Sequence, residues 1–407
     1  MKATDKEQII RGFMLACTKK TEGECFERML FGANKVYGPI VIRIRKGDLL
    51  FLNNLDTNIL FGVFKAVSIG KLDIEPDAWK GKFPYQVKVE LLGERMPLKD
   101  ARKILKKHKI KRNTPISGQT LIDLLNDFVS KPNLLNMRAC KIVESIKTKI
   151  KERIHEVDIE KEIPIIEPTT FWDFPRQSYG LTPKGNNKYP GVTPALIIFN
   201  MVWRYTEPGD TVVDPMCGSG TTIDVCEEEQ RECIGLDISP PKTRSDMIQS
   251  DARHIPLQSS SADMIFIDSP YGDNIKYNEH PGCVGKMSSE TEKFYDELEK
   301  AMTEAHRILR EGKVLGWLIG NQWVKHKFTP VGLKIYERLC KYFEPVDIIC
   351  VARRGQTSHT GSWLNRARKF NFFLRGFKYL LIMRKPSKTK PSVRKSRKVN
   401  WSHYRRG

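Results

Sequence analysis

The strongest constraint on the fold is an alternation of short apolar segments with amphipathic segments that starts near residue 171. The apolar segments have the length of buried strands, and the segments between them have helical periodicity. We predict strands near 211–214, 233–237, 247–250, 263–268, 314–320, 346–352 and 378–384, and helices near 194–205, 219–229, 290–310 and 332–342. Because strands that alternate with helices form a parallel sheet covered on both faces, the pattern predicts an α/β domain.

The first strand of this domain leads into a glycine-rich turn. The strand at 211–214 is followed by Pro-Met-Cys-Gly-Ser-Gly-Thr-Thr at 215–222. Glycine lets the backbone approach a ligand closely, and the start of the following helix offers unpaired N–H groups. The Gly-x-Gly-x-x-Gly fingerprint is absent, which argues against a nicotinamide dinucleotide. A purely structural tight turn is the alternative interpretation.

Acidic residues follow the next two strands. Asp237 ends the second strand, where doubly wound folds place a carboxylate on ribose hydroxyls, although it could instead cap a helix. Asp251 follows the third strand, where it could meet an adenine amino group. The fourth strand ends in Asp-Ser-Pro-Tyr at 268–271, which is either a catalytic motif or an ordinary strand-terminating turn.

The two motifs together resemble the amino-methyltransferases that methylate N6 of adenine or N4 of cytosine in DNA. The resemblance covers roughly residues 169–385: the family's glycine turn matches 214–221, and its Asp/Asn/Ser-Pro-Pro-Tyr/Phe tetrapeptide matches 268–271. The segment 189–197 looks like the family's additional cofactor-contacting element, which points to Thr193. The resemblance implies a Rossmann-like, seven-stranded methyltransferase domain that binds S-adenosylmethionine.

The resemblance also assigns the site residues. The implied cofactor contacts are Thr193, Asp214, Met216, Cys217, Gly218, Ser219, Gly220, Thr221, Asp237 and Asp251, and the implied catalytic residues are Asp268, Ser269, Pro270 and Tyr271. An aromatic amine attacks poorly because its lone pair is delocalised into the ring. The Asp268 carboxylate and the Ser269 carbonyl would accept its two protons, and Tyr271 would stack on an extruded base. Positioning would then carry most of the catalysis, since a sulfonium is a good leaving group.

Two departures from the family pattern bear on these expectations. Ser269 replaces the usual first proline, which we expect to be tolerated because the family uses the backbone carbonyl of that residue. No large target-recognition segment follows the catalytic strand, so the sequence does not specify a recognition site. Carbon-5 cytosine methylation would need a cysteine nucleophile, usually in Pro-Cys, and the chain contains no Pro-Cys.

The N-terminal part predicts a separate α+β domain over residues 1–131. Short apolar segments at 40–44, 49–52 and 60–64 read as strands, and 97–108 and 117–130 read as helices. Motifs such as Gly-Asp-Leu-Leu-Phe-Leu at 47–52 and Ala-Trp-x-Gly-x-Phe-Pro at 78–84 resemble the plant development-and-cell-death domain, which is similar to the PUA, EVE and YTH folds. Some of those folds hold a base in an aromatic cage, so Trp79 and Phe83 are either cage walls or core residues.

Charge distribution predicts a polyanionic partner. The net charge is +21, and after Asp347 the chain has seventeen Lys and Arg residues but no Asp or Glu. Aromatic residues are interleaved with these cations, as nucleic-acid binding requires, although a basic tail can also serve solubility alone. The interleaved aromatic residues are Trp363, Phe370, Phe372, Phe373, Trp401 and Tyr404. The predicted nucleic-acid contacts are Lys276, Arg353, Arg354, Arg366, Arg368, Lys369 and Arg375.

The remaining expectations concern organisation and cellular context. Residues 132–168 read as a helical linker, 169–385 as the methyltransferase domain, and 386–407 as a basic tail that is disordered when unbound. Nine cysteines without a Cys-x-x-Cys spacing predict neither disulfides nor a metal site. With no long apolar run and no signal peptide, we expect a cytoplasmic protein without a membrane partner.

The sequence therefore predicts methylation of an exocyclic amine in DNA, adenine N6 or cytosine N4. Two alternatives stay open. One is an RNA methyltransferase acting on guanine N2 or adenine N6 in tRNA or rRNA, and the other is a non-catalytic binder of modified nucleic acid. A restriction nuclease partner is also left open.

Overall fold

A computed structural model describes residues 10–130, 137–152, 163–180, 182–273, 275–324, 327–354 and 361–387. The predicted disordered tail, with Trp401 and Tyr404, lies outside the described residues from 388 onward, and so do parts of the predicted linker. The chain divides into two compact units. The first contains the residues up to 210 together with 218–233, and the second contains 211–217 together with the residues from 234 onward. The predicted domain boundaries stay predictions.

The first unit begins with a six-stranded sheet. Its elements are β1 (Gly12–Cys17), α1 (Lys19–Glu27), β2 (Leu30–Ala33), α2 (Gly38–Val41), β3 (Leu49–Asn54), β4 (Ile59–Ala66), β5 (Lys71–Leu72), β6 (Tyr85–Lys99), α3 (Ala101–Lys107) and α4 (Gly118–Val129). The strand order is β1-β3-β4-β6-β2, with β5 paired to β6. Strands β1 and β3 are parallel, whereas β3 with β4 and β6 with each of β2, β4 and β5 are antiparallel, so this is a mixed α+β domain.

The packing of α4 accounts for its sequence periodicity. The helix buries Leu121, Leu124, Leu125 and Phe128, and the Phe128 ring stacks on Phe51 with 5.6 Å between centroids. Gly62 permits this contact, because a Cβ there would lie 2.8 Å from the Phe128 ring.

The structure bears on three of the predictions for the N-terminal sheet domain. The predicted strand at 40–44 is wrong in its first part, which forms α2, since Pro39 fits the first turn of a helix. The predicted helix at 97–108 starts only at Ala101, because residues 97–99 still belong to β6. Trp79 is a core residue, 5% exposed, and a Cβ on Gly32 would lie 2.7 Å from its ring. The cage interpretation of Trp79 is therefore not supported.

The first unit continues with α5 (Met137–Glu152), β7 (Phe171–Trp172), α6 (Ala195–Tyr205) and α7 (Thr221–Glu228). A buried carboxylate ties these helices to the N-terminal sheet domain. Glu229 is completely buried and accepts hydrogen bonds from Arg43 (2.6 Å), the Tyr179 hydroxyl (2.7 Å) and the Trp203 indole (2.8 Å). Because Arg43 lies just beyond α2, the sheet domain and the helices α6 and α7 share a core within this unit.

The second unit contains most of the predicted α/β pattern. Its elements are β8 (Thr211–Asp214), β9 (Glu232–Asp237), β10 (Met247–Gln249), β11 (Ala262–Asp268), α8 (Glu292–Ile308), β12 (Leu309–Ile319), β13 (Gln322–Val324), β14 (Lys327–Thr329), α9 (Val331–Leu339), β15 (Glu344–Ala352), α10 (Gly361–Lys369) and β16 (Phe377–Arg384). Seven of its strands lie in the order β10-β9-β8-β11-β12-β16-β15. Strand β16 is antiparallel to both of its neighbours, whereas β11 is parallel to β8 and β12.

This arrangement agrees with a Rossmann-like α/β fold. Each predicted strand has a counterpart within a few residues, except that β12 begins at Leu309 rather than near 314. The strands β7, β13 and β14 and the helix α10 are absent from the sequence-based prediction. The core of the unit packs α8 and α9 against the sheet, with Phe294, Leu298, Trp317 and Ile335 fully buried.

Candidate active site

The candidate catalytic edge lies where the strand order reverses. Of the seven sheet strands of the second unit, β8 comes first in the chain, and its neighbours on either side are β9 and β11. Strands β8 and β11 run parallel, so Asp214 and Asp268, which end them, lie at the same edge of the sheet. In open α/β sheets ligands bind outside the carboxyl ends of the strands at such a switch point.

Asp268 is paired with a lysine that sequence reasoning missed. The Lys378 ammonium lies 3.1 and 3.3 Å from the two carboxylate oxygens, and the Lys378 and Asp268 side chains are only 15% and 11% exposed. Burial by itself lowers the pKa of Lys378, but the Asp268 carboxylate and Tyr271 outweigh burial and raise it. The two groups therefore form a charged pair at the catalytic edge.

The rest of the tetrapeptide is held by the sheet. The Ser269 hydroxyl accepts a hydrogen bond from the Trp317 indole at 2.9 Å, and both side chains are buried. The Tyr271 ring is 5% exposed, and its face is approached by Lys378 at 5.6 Å and Arg353 at 5.9 Å. The Tyr271 ring, which we expect to stack on a base, thus has two cations near it and is largely buried in this structure.

The loop after the tetrapeptide packs closely on a buried amide. Gly272 has φ +138°, and a Cβ there would lie 2.0 Å from Nε2 of Gln322. Gln322 is 3% exposed and accepts a hydrogen bond from the Ser289 hydroxyl. Of the residues at 320–323, Gln322 is therefore the one that faces this loop. The Asn321 side-chain oxygen accepts a hydrogen bond from the Gly332 N–H at 3.0 Å, within the fold.

The predicted cofactor residues of the second unit follow β8, β9 and β10. Asp214 is 3% exposed and accepts from the Met216 N–H, and the Cys217 N–H donates to the Leu236 carbonyl at 2.9 Å. Asp237 is 7% exposed and accepts from the Ser239 N–H at 2.8 Å. The turn after β8 and the end of β9 are thus adjacent.

Asp251 is engaged differently. Both of its carboxylate oxygens accept hydrogen bonds from Arg253, with Nε to Oδ1 at 2.9 Å and Nη2 to Oδ2 at 2.5 Å. Burial acts to raise its pKa, but Arg253 prevails and lowers it. An adenine amino group would have to compete with the Arg253 guanidinium for the Asp251 carboxylate. The assignment of Asp251 as a cofactor contact stays a prediction.

The predicted cofactor residues of the first unit lie together. Gly218 (φ +53°) and Gly220 (φ +86°) have left-handed backbones that favour glycine, and Tyr189 would lie 3.0 Å from a Cβ on Gly218. Ser219 and Thr221 lie against Gly185. Thr193 is buried, and its carbonyl accepts from the Gln177 amide. The additional element at 189–197 thus begins beside the glycine turn, and the assignment of Thr193 stays a prediction.

The predicted nucleic-acid contacts fall into three groups. Lys276 is 77% exposed and pairs with Glu279 at 2.6 Å. Helix α10 carries Arg366, Arg368 and Lys369 and buries no side chain. Arg353, Arg354 and Arg375 lie between or beside β15 and β16, and Arg375 lies over the rings of Trp323 and Phe328.

Within the described ranges, no group of three or more His, Cys, Asp or Glu side chains could hold a metal ion. No helix in the same ranges is long and apolar enough to cross a membrane.

Comparisons with known proteins match the two parts of the chain separately. The model of the development and cell death domain matches residues 11–125, and the model of the DNA methylase family matches residues 104–245. Both resemblances predicted from the motifs are therefore confirmed. The methylase match includes the glycine turn and Asp237 and ends before the tetrapeptide at 268–271.

Relatives show the same division. The soybean (Glycine max) DCD domain-containing protein NRP-B is 37% identical over 91 residues, 21% of this chain and 28% of that protein. The DNA adenine methyltransferase YhdJ of Escherichia coli is 35% identical over 72 residues, 18% of this chain and 24% of that protein. The type II methyltransferase M.XycI of Xanthomonas campestris is 43% identical over 47 residues, 12% of this chain and 16% of that protein. In each case the chain spans less than a third of the relative's length.

Among solved structures, a putative DNA modification methylase of Thermus thermophilus, TTHA0409, complexed with S-adenosyl-L-methionine, matches 36% of this chain and 57% of its own at 23% identity, with a TM-score of 0.25. TrmN of Thermus thermophilus matches 48% of this chain and 50% of its own at 15% identity, with a TM-score of 0.33.

Proposed function

We propose that this protein transfers a methyl group from S-adenosylmethionine to an exocyclic amine of DNA, adenine N6 or cytosine N4, in a base that has left the duplex stack. The observation that carries the proposal is the location of Asp268. It ends a strand beside Asp214 at the switch point of the sheet, within a tetrapeptide that resembles the amino-methyltransferase motif. The match of residues 104–245 to the DNA methylase family supports the cofactor half of the site.

The residues after β8 and β9 fit an adenosyl cofactor. Asp214 and Asp237 are largely buried carboxylates on neighbouring strands, suited to hydroxyl and amine donors, and the turn after Asp214 lies against the end of β9. Gly218 and Gly220 continue this turn with backbones that let a ligand approach closely. S-adenosylmethionine supplies the electrophilic methyl carbon and a good leaving group.

The chain's own residues orient the amine. The Asp268 carboxylate accepts one N–H of the target amine and the Ser269 carbonyl accepts the other, which turns the nitrogen lone pair out of conjugation with the ring. The proton that leaves the nitrogen after transfer is taken up at an oxygen of Asp268. Lys378 contacts both oxygens of that carboxylate and holds it in place at the end of β11. No protein nucleophile takes part.

The test uses labelled cofactor and mixed nucleic acid. The purified chain should transfer label to material that DNase removes and RNase does not, and digestion to nucleosides should identify N6-methyladenosine or N4-methylcytidine in their deoxy forms. Label in the RNase-sensitive fraction would overturn the choice of DNA in favour of the RNA alternative. Cofactor binding without any transfer would favour the non-catalytic binder.

A further inference from the structure

The surface beside the catalytic edge carries aromatic side chains that the proposed chemistry does not use. Trp323 of β13 and Phe372 lie nearly parallel, with 6.1 Å between ring centroids and 12° between planes. The Arg375 guanidinium lies 6.0 Å from the Trp323 ring centroid and 5.2 Å from that of Phe328 in β14. We call Trp323, Phe328, Phe372 and Arg375 the aromatic platform.

The platform is exposed rather than part of a core. Trp323 and Phe328 are 36% and 43% exposed, and the neighbouring Phe373 is 80% exposed. Aromatic rings are usually buried, so a concentration of exposed rings marks a binding surface. The rings of Trp363 and Phe370 each have a cation over one face, Arg366 at 5.2 Å and Lys369 at 5.4 Å.

The charge of this surface selects an anionic partner. Residues 361–387 contain seven Lys and Arg residues and no Asp or Glu. Cations alone would suffice to bind the phosphates of a duplex, in which each base is stacked on its neighbours and has no free ring face. Cations beside exposed aromatic rings serve a strand whose bases are unstacked.

The platform is continuous with the catalytic edge. Strand β12 ends at Ile319, which pairs with Tyr379, and the chain reaches Trp323 four residues later. Tyr379 follows Lys378, the partner of Asp268, and its ring meets Phe377 edge to face at 5.2 Å. A base that enters the catalytic site has left its stack, and on an unpaired strand its neighbours are also available for stacking at this surface.

We propose that the aromatic platform binds an unpaired DNA strand by stacking on bases that flank the target base, with the cations of α10 and Arg375 on its phosphates. This inference rests on the proposed function, because it assigns the form of nucleic acid presented to that site. A duplex would then bind through locally opened base pairs, and single-stranded DNA would bind without the cost of opening.

The test measures equilibrium binding of the full chain, without cofactor, to labelled oligothymidylate, an abasic oligomer of the same length, a duplex and oligouridylate. Oligothymidylate should bind tightest. Trp323→Ala and Phe328→Ala should each weaken oligothymidylate binding by about 5- to 150-fold, the equivalent of about 1–3 kcal/mol per stacked base. Neither should change binding of the abasic oligomer, and Trp323→Phe should restore much of the loss.

Matched variants separate stacking from charge. Leu333→Ala removes an apolar side chain that is 56% exposed on α9 and should leave binding unchanged. Replacing both Arg366 and Arg368 with Ala should flatten the salt dependence by about 0.7 per lost phosphate contact, whereas Trp323→Ala should not alter that slope.

Equal affinity of the unaltered chain for the abasic oligomer and oligothymidylate, or full binding by Trp323→Ala, would overturn the inference. Tighter binding of oligouridylate would overturn its assignment to DNA. Stacking-dependent binding in a chain that transfers no methyl group would overturn the proposed function and leave the platform intact. Methyl transfer by the unaltered chain, together with full oligothymidylate binding by Trp323→Ala, would overturn the inference about the platform and leave the proposed function intact.

Discussion

Replacing Lys378 with methionine removes the cation beside Asp268 and keeps most of the side chain's volume. The ammonium lies 3.1 Å from the nearer carboxylate oxygen, and both side chains are mostly buried. At an effective dielectric constant of about 20, that separation gives about 5 kcal/mol of attraction before desolvation is subtracted. Removing one partner of such a pair leaves the mostly buried Asp268 carboxylate without this cation.

We therefore expect Lys378→Met to lower the methyl-transfer rate at neutral pH, because the Asp268 carboxylate loses the ammonium that contacts both of its oxygens. The attraction of about 5 kcal/mol is an upper limit on that loss. Arg353 and Tyr271 are the other ionisable groups that act on Lys378, and both remain in Lys378→Met.

The pH dependence of the methyl-transfer rate follows from Lys378 itself. Its pKa is raised, so the ammonium persists through neutral pH, and its contribution is lost only as the pH rises past its ordinary range. Lys378→Arg keeps the charge and should retain a rate close to that of the unaltered protein, whereas Lys378→Met should lack the decline at alkaline pH. Superimposable pH–rate profiles for the unaltered protein and Lys378→Met would refute this reasoning.

Two further substitutions test other parts of the structure. Arg43→Met should lower the free energy of unfolding by about 3–5 kcal/mol in urea titrations, because it removes the cation paired with the fully buried Glu229. Lys35→Met breaks the more exposed pair with Glu207 and should lower the free energy of unfolding by about 1 kcal/mol or less. An equal effect of the two would contradict the buried-pair argument. Gly272→Ala should reduce the rate of methyl transfer, because a Cβ at residue 272 would lie 2.0 Å from the Gln322 amide and the backbone there has φ +138°. A normal rate in this variant would show that the loop has room for the methyl group.

The strand and helix positions of the second unit can be predicted from the sequence because their signals are local. Buried parallel strands are short and continuously apolar, and amphipathic helices such as α8 repeat their apolar residues every three or four positions. The glycine turn and the tetrapeptide are likewise contiguous, so Asp214 and Asp268 can be identified without knowing that their strands are neighbours.

Lys378 cannot be found in the same way. It is 110 residues from Asp268, and the two meet only because β16 enters the sheet antiparallel beside β12. A register that differed by one residue would turn Lys378 to the opposite face. Strands β13 and β14 are three residues each, too short to show a period, so the sequence does not decide whether Trp323 contacts a base or packs.

The N-terminal domain shows a similar limit. Its family resemblance is readable from contiguous motifs, but the contact of Arg43 with Glu229 joins residues 186 positions apart. The structure makes this domain part of the same compact unit as α6 and α7, the helices on either side of β8 in the chain.

The most direct test of the central claim is the single-turnover rate of methyl transfer to DNA by Asp268→Asn, measured beside cofactor affinity in the same preparation. If Asp268 is the carboxylate that orients the amine and takes up its proton, the rate should fall by at least about a hundredfold while cofactor affinity stays near that of the unaltered protein. Transfer at an undiminished rate would contradict the account, because the amine would then be oriented by some other group.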